Sequence, residues 1–234
     1  MVTEAVQAPS PQSPTPKRLS LPAILAFSAT GVPLGGVGIG FAIFLQPYLA
    51  SHLHIPLMVI AGAWFTVRML DFGIDVVLGL LMDRFSTRWG RYRLWFMAGV
   101  PLLVIAIYQL FMAPLGVDGG YLVMWLFVYY LGNSILGLAH LAWSATLITQ
   151  YHERSRVFGI MTPVSIVGSL IVLAIPSIAE RMGATSAQAV QWIGWFSVGL
   201  LPLAAAIVVI FTPEPIAPEV KSKPGVPWAD YWSL

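Results

Sequence analysis

Six mostly apolar stretches divide the chain, at roughly Leu21–Ala50, Met58–Met82, Leu94–Ala113, Tyr121–Ile148, Phe158–Ala179 and Gln188–Phe211. A helix of about 20 residues crosses the roughly 30 Å hydrocarbon layer of a bilayer, so each stretch is predicted to be a membrane span. The first, second and fourth are longer than that and call for tilt. In the first, Gly31-x-x-x-Gly35 and Gly36-x-x-x-Gly40 flank Pro33, a pattern that allows close helix crossing and a bend. Pro163, Pro176 and Pro202 predict kinks, and Trp192 and Trp195 an interfacial belt. Outside the spans, residues 1–20 read as a disordered tail. Residues 213–234 read as a Pro- and Lys-rich linker ending in an aromatic run, Trp228–Leu234.

Composition agrees with the pattern. Apolar residues make up 58% of the 234 and charged residues 9%, against about 25% charged in soluble domains. A soluble enzyme, a nucleic-acid binder and a disordered chain are excluded, leaving an all-α integral membrane protein in contact with membrane lipid. The formal charge of +2 comes with no Cys, so there is no disulfide, thiolate metal site or thiol nucleophile. Placement of the charge matters more than its sum. Lys17, Arg18, Arg84, Arg88, Arg91, Arg93, Arg154, Arg156, Lys221 and Lys223 are 10 of the 12 basic residues, and all fall on one side of a six-span topology. The positive-inside rule then puts both termini in the cytoplasm.

The second span holds the residues that cost most to bury. Arg68, Asp71, Asp75 and Gly79 recur at spacings of three and four on one helical face, with the two carboxylates about 40° apart. Ionisable groups at mid-bilayer cost about 2.5–3.5 kcal/mol each on insertion scales and face a cavity or a partner. Two ionised carboxylates so close repel, so one takes a proton or a cation sits between them, with Arg68 compensating part of the charge. One reading is a coupling site for H⁺ or Na⁺; the other is a static Arg68–Asp71 pair with Asp75 wetted near a helix end. On the fourth span Tyr129, Asn133, His140 and Ser144 share a side, with Trp143 one position away. They read either as a solute-lining face or as interhelical hydrogen-bonding residues. Gln46, one turn from the end of span one, is a weaker lining candidate, and His52 and His54 read as solvated.

The run Gly79-Leu-Leu-Met-Asp83-Arg84-Phe-Ser-Thr-Arg88-Trp-Gly90-Arg91 resembles the loop signature of the major facilitator superfamily. Asp71 and Asp75 four apart, Trp89-Gly90-Arg91, then Trp143-Ser144 and Arg154-Ser-Arg156 narrow the resemblance to its melibiose-permease-like branch, the glycoside–pentoside–hexuronide:cation symporters and related lysolipid carriers. The resemblance implies one six-helix half of the fold, built from two three-helix inverted repeats, working by alternating access in a bacterial inner membrane. It implies Asp71 and Asp75 as cation ligands, and Gly79, Asp83, Arg84, Arg88, Gly90 and Arg91 as a cytoplasmic gating loop. It also implies no cofactor beyond the coupling H⁺ or Na⁺, a small-molecule solute, and a second six-helix half in the same longer chain or in a second copy. Sugar-carrying members have carboxylates where this chain has Gly35-Gly36 and Ala139, and an Arg in helix five that is missing here. A less polar solute is the corresponding expectation. The alternatives are a non-transporting membrane scaffold and a metal-dependent lipid phosphotransferase, to which the Asp71, Asp75, Gly79 and Asp83 spacing bears a superficial likeness.

Overall fold

The computed structural model describes residues 20–84, 92–147 and 151–212. Within them the chain is helical, with no strand among the described residues. We number the long helical stretches α1 (Leu21–Ser51), α2 (Leu57–Arg84), α3 (Tyr92–Phe111), α4 (Gly119–Leu147), α5 (Tyr151–Arg181) and α6 (Ser186–Phe211). Five of them, all but α2, are long and apolar enough to cross a membrane. Of the six spans expected on pattern, these five meet the measure and α2 does not. α2 has 28 residues, but it alone carries Arg68, Asp71 and Asp75 in its interior.

α1 is not a uniform helix. Its first segment ends at Ser28, a turn covers Ala29 and Thr30, and a second segment begins at Gly31. Pro33 has no N–H to give to the Ala29 carbonyl, which accepts from Val32 N instead. Further along, Gly40–Leu45 is a π-helical turn ahead of Pro47. The wider turn accommodates a proline that cannot serve the Ile43 carbonyl and whose ring crowds it. Pro101, Pro163, Pro176 and Pro202, by contrast, stay inside continuous helices.

Helix ends are fixed locally. Thr185 and Gln188 form a reciprocal capping box at the start of α6, with Thr185 N donating to Gln188 Oε1 at 2.8 Å. Asp118 Oδ1 accepts from Tyr121 N ahead of α4, and the Tyr121 hydroxyl donates to the Gln109 carbonyl of α3 at 2.9 Å. Arg93, at the start of α3, donates to the Val209 carbonyl in the last turn of α6, where carbonyls lack intrahelical partners.

Packing follows the small residues. α1 lies closest to α5, α3 and α2 each pack on α4, and α3 also packs on α6. At the α1–α5 crossing a Cβ on Gly35 would collide with the Ser165 carbonyl, and one on Gly168 with the Val32 carbonyl. At the α3–α4 crossing a Cβ on Gly99 or on Gly132 would come to 3.0 Å from a backbone nitrogen of the facing helix. These glycines allow backbone-to-backbone contact, which in lipid replaces the hydrophobic effect as the source of helix association. The close crossing expected from the glycine pattern of span one is therefore present. A buried core of Leu, Ile and aromatic side chains fills the space between α1, α3, α4 and α6.

Candidate functional site

The charged cluster is built on α2 and completed by α4. Asp71 sits near the middle of α2, on the side facing α4, and is only 6% exposed. Its Oδ2 pairs with Arg68 Nη1 at 3.0 Å, one turn earlier on the same helix. Its Oδ1 accepts from the Ser134 hydroxyl of α4 at 3.1 Å. The Arg68 side chain is 61% exposed, with its guanidinium 5.6 Å from the centroid of the Tyr130 ring. Asp71 is thus a buried carboxylate whose two oxygens are bound from two helices.

Asp75 differs. One turn further along α2, it is half-buried, and its Oδ1 is buried with no hydrogen-bond partner. A buried polar atom without a partner carries its full desolvation cost, about 1–3 kcal/mol and more when charged. Sharing a face with a second carboxylate adds repulsion. A proton on Asp75 removes the repulsion and the charged part of the burial cost, and a monovalent cation bound at Oδ1 would meet both. No group of three or more His, Cys, Asp or Glu suited to a metal ion occurs among the described residues, so a cation here would rely on these two carboxylates with hydroxyl and carbonyl oxygens.

The expected polar face of α4 separates into two environments. Tyr129 and His140 are each 7% exposed and Trp143 is fully buried. Tyr129 stacks on Phe41 of α1 with centroids 4.0 Å apart. His140 Nε2 bonds the Phe27 carbonyl at 3.0 Å, beside the break in α1, and its ring packs on Phe27 and Phe96. Ser144 turns back onto the Leu141 carbonyl of its own helix. His140 therefore ties α4 to α1. Trp143 packs on Phe27 and Phe96, and its indole nitrogen has no partner. Asn133 is the exposed member of the set, one turn from Gly137, whose missing Cβ faces open space. Gln46 is half-buried at the end of the π turn.

Of the loop residues, Gly79 is half-buried with open space beside it and Arg84 is exposed. The Asp83 side chain, and Arg88, Gly90 and Arg91 altogether, lie outside the described residues. The residue that sequence reasoning passed over is Ser134. It follows Asn133, but its angular position is about 100° from that residue, and only the packing of α2 on α4 brings it to Asp71.

Comparison with known proteins identifies relatives of the chain. A family model described as MFS/sugar transport protein matches residues 26–233. The sodium-dependent lysophosphatidylcholine symporter 1-B of Danio rerio is 28% identical over 183 residues, covering 74% of this chain and 35% of that protein. Its counterpart in Xenopus tropicalis is 26% identical over 179 residues, 72% of this chain and 34% of that one. The isoprimeverose transporter of Lactiplantibacillus pentosus is 28% identical over 177 residues, again 72% of this chain and 36% of that protein. The chain thus spans about a third of the length of these curated relatives.

Proposed function

The chain belongs to the MFS/sugar transport protein family, and on that premise we propose that it is the N-terminal six-helix half of a cation-coupled secondary transporter. The family and its named relatives are transporters, so the phosphotransferase alternative falls away. In our reading α2 is the sixth span. Asp71 faces α4 at mid-length and is bonded there by Ser134, with the Arg68 guanidinium near Tyr130 of the same helix, a setting in which intramembrane ionisable groups are tolerated. The exchange of partners, α2 with α4 and α5 with α1, is what two three-helix repeats related by a two-fold axis in the membrane plane produce. With six spans, the basic residues put both termini in the cytoplasm.

The observation that carries the proposal is the unpartnered Asp75 Oδ1 beside an Asp71 already held by Arg68 and Ser134. In the mechanism we propose, Arg68 and Ser134 fix Asp71 as a pre-organised negative centre. H⁺ or Na⁺ then adds at Asp75 and cancels the excess charge of the pair. Neutralisation lets the α2–α4 face move through an apolar environment, whereas the unneutralised pair resists it. Coupling follows when solute and cation are both needed for the movement. The solute belongs at the open face of α4, with Asn133 as its hydrogen-bonding contact, and Gln46, Tyr129, His140 and Trp143 are kept as candidates that rearrangement would expose. A sugar-like or less polar organic molecule fits this small and largely uncharged surface. The solute cavity is closed by a second six-helix half, in the same longer chain or in a second copy. Gly79, Asp83, Arg84, Arg88, Gly90 and Arg91 form the gating loop on the cytoplasmic side.

A static tie between α2 and α4 is the second reading, favoured by the full satisfaction of Asp71. Uptake in reconstituted vesicles under an imposed Na⁺ or H⁺ gradient separates the two. Coupling at this site requires Asp75→Asn to abolish gradient-driven uptake while expression persists. Unchanged uptake in that variant leaves only the tie.

A further inference from the structure

A second concave site lies away from the carboxylate pair, at the end of the bundle where α1 passes to α2 and α5 to α6. It is a cavity of about 390 Å³ between α1, α5 and α6, within the roughly 300–1,000 Å³ range of small-molecule pockets. The chain makes this space in three ways. The π turn and Pro47 widen the end of α1, Pro176 interrupts the hydrogen-bond ladder of α5, and Ser186, Ala187 and Ala189 keep the start of α6 slim.

The lining is chemically lopsided. One wall is aromatic: Phe44 and Tyr48 on α1 and His52 just past its end, with the rings of Tyr48 and His52 stacked at a centroid distance of 5.3 Å. Tyr48 is only 4% exposed, and its hydroxyl is engaged by the Gln191 side chain. The Ser51 hydroxyl is spent on the Pro47 carbonyl at 2.7 Å. Val190 and Ile43 add apolar side chains to the lining. On the α5 side the lining includes Glu180, an exposed residue and the one acidic side chain there, and it holds no Lys or Arg. No ion pair among the described residues involves it. A carboxylate that shares one cavity with aromatic rings, with the Tyr48 and Ser51 hydroxyls already bonded, selects a cation that needs few hydrogen bonds and has an apolar surface.

We infer that this cavity binds an organic ammonium group carrying a short apolar body, with Glu180 as counter-ion, the Phe44–Tyr48–His52 wall against the cation, and Val190 and Ile43 against the body. None of these residues belongs to the Asp71–Asp75 cluster, so the inference stands apart from the coupling reading. The same chemistry is offered by a soluble amine and by the head group of a choline lipid.

The test uses the full chain in a neutral maltoside detergent, titrated calorimetrically with octyltrimethylammonium and with its uncharged isostere, in which carbon replaces nitrogen. Saturable binding of the ammonium is expected, with the isostere and the Glu180→Gln variant each weaker by about tenfold. Val190→Trp fills the cavity and is expected to abolish binding while the melting transition is retained. Repeating the titration in phosphatidylcholine and galactolipid nanodiscs assigns the source. Suppression by phosphatidylcholine alone identifies the lipid head group, and equal binding in both identifies a soluble amine. The inference is overturned if the ammonium does not bind saturably, if the isostere binds equally well, or if folded Glu180→Gln or Val190→Trp binds like the parent.

Discussion

Replacing Gly168 by Ala adds one methyl group at the closest point of the α1–α5 crossing. In the structure that carbon would lie 2.6 Å from the Val32 carbonyl carbon and 2.8 Å from Val32 Cα, and nearer still to the Val32 oxygen. Ordinary carbon–carbon contact is about 3.5–4.0 Å, so the helices must part by about 1 Å. All three obstructing atoms are backbone, so no rotamer change relieves the clash. Overpacking of this kind costs about 1–3 kcal/mol, and a rigid partner favours the upper part of that range. The Ser169 hydroxyl also donates to the Gly35 carbonyl at 3.0 Å across the same crossing, and parting the helices weakens that bond too. Gly38→Ala is the control, because open space surrounds its missing Cβ and alanine is the better helix former by about 1 kcal/mol. Thermal unfolding in detergent, followed by size-exclusion fluorescence, should show Gly168→Ala melting about 3–10 °C lower, with Gly38→Ala at or above the parent. Equal melting of Gly168→Ala and the parent, or an equal loss in Gly38→Ala, would refute the claim that α1 and α5 are joined through glycine contacts.

Other outcomes follow from single contacts. His140→Phe keeps the ring packing but leaves the Phe27 carbonyl unbonded; it should cost about 0.5–1.5 kcal/mol and raise amide exchange in the segment around Thr30, read by mass spectrometry. Ser134→Ala removes the α4 bond to Asp71. It should change cation affinity by about tenfold or more while moving the melting temperature by only a few degrees; a tie without coupling gives the reverse. Thr185→Ala breaks the capping box and should lower stability by about 1 kcal/mol, seen as faster exchange confined to the first turn of α6.

Hydropathy and spacing made much of this legible. The spans start and stop within two residues of the helices except at α5, which begins at Tyr151 rather than Phe158, because its start is helical but dominated by the polar run His152–Arg156 and leaves no apolar signal. The Arg68, Asp71 and Asp75 face was readable because it belongs to one helix, where angular position follows from residue number. Ser134 was not, because its role depends on which helices pack together, and that is decided by glycine crossings such as Gly99 against α4. For the same reason Tyr129 and Asn133, neighbours on a helical wheel, part company: one is stacked on Phe41 and the other faces open space. Pro33 and Pro47 announced irregularity in α1, but hydropathy carries no information on whether a proline is met by a break or by a π turn. The cavity at Glu180 was also beyond sequence reading, since its walls come from three helices.

The most direct test of the coupling site is cation binding to this chain itself, because Asp71, Asp75, Arg68 and Ser134 all lie within α2 and α4 and need no second half for their geometry. The measurement is equilibrium binding of radiolabelled Na⁺ to the purified chain, paired with proton release or uptake in the same sample, for the parent, Asp71→Asn and Asp75→Asn. The parent should bind Na⁺ or exchange a proton saturably, and each variant should lose that response while keeping a cooperative melting transition. Folded variants that bind Na⁺ and exchange protons as the parent does would contradict a cation site at Asp71 and Asp75.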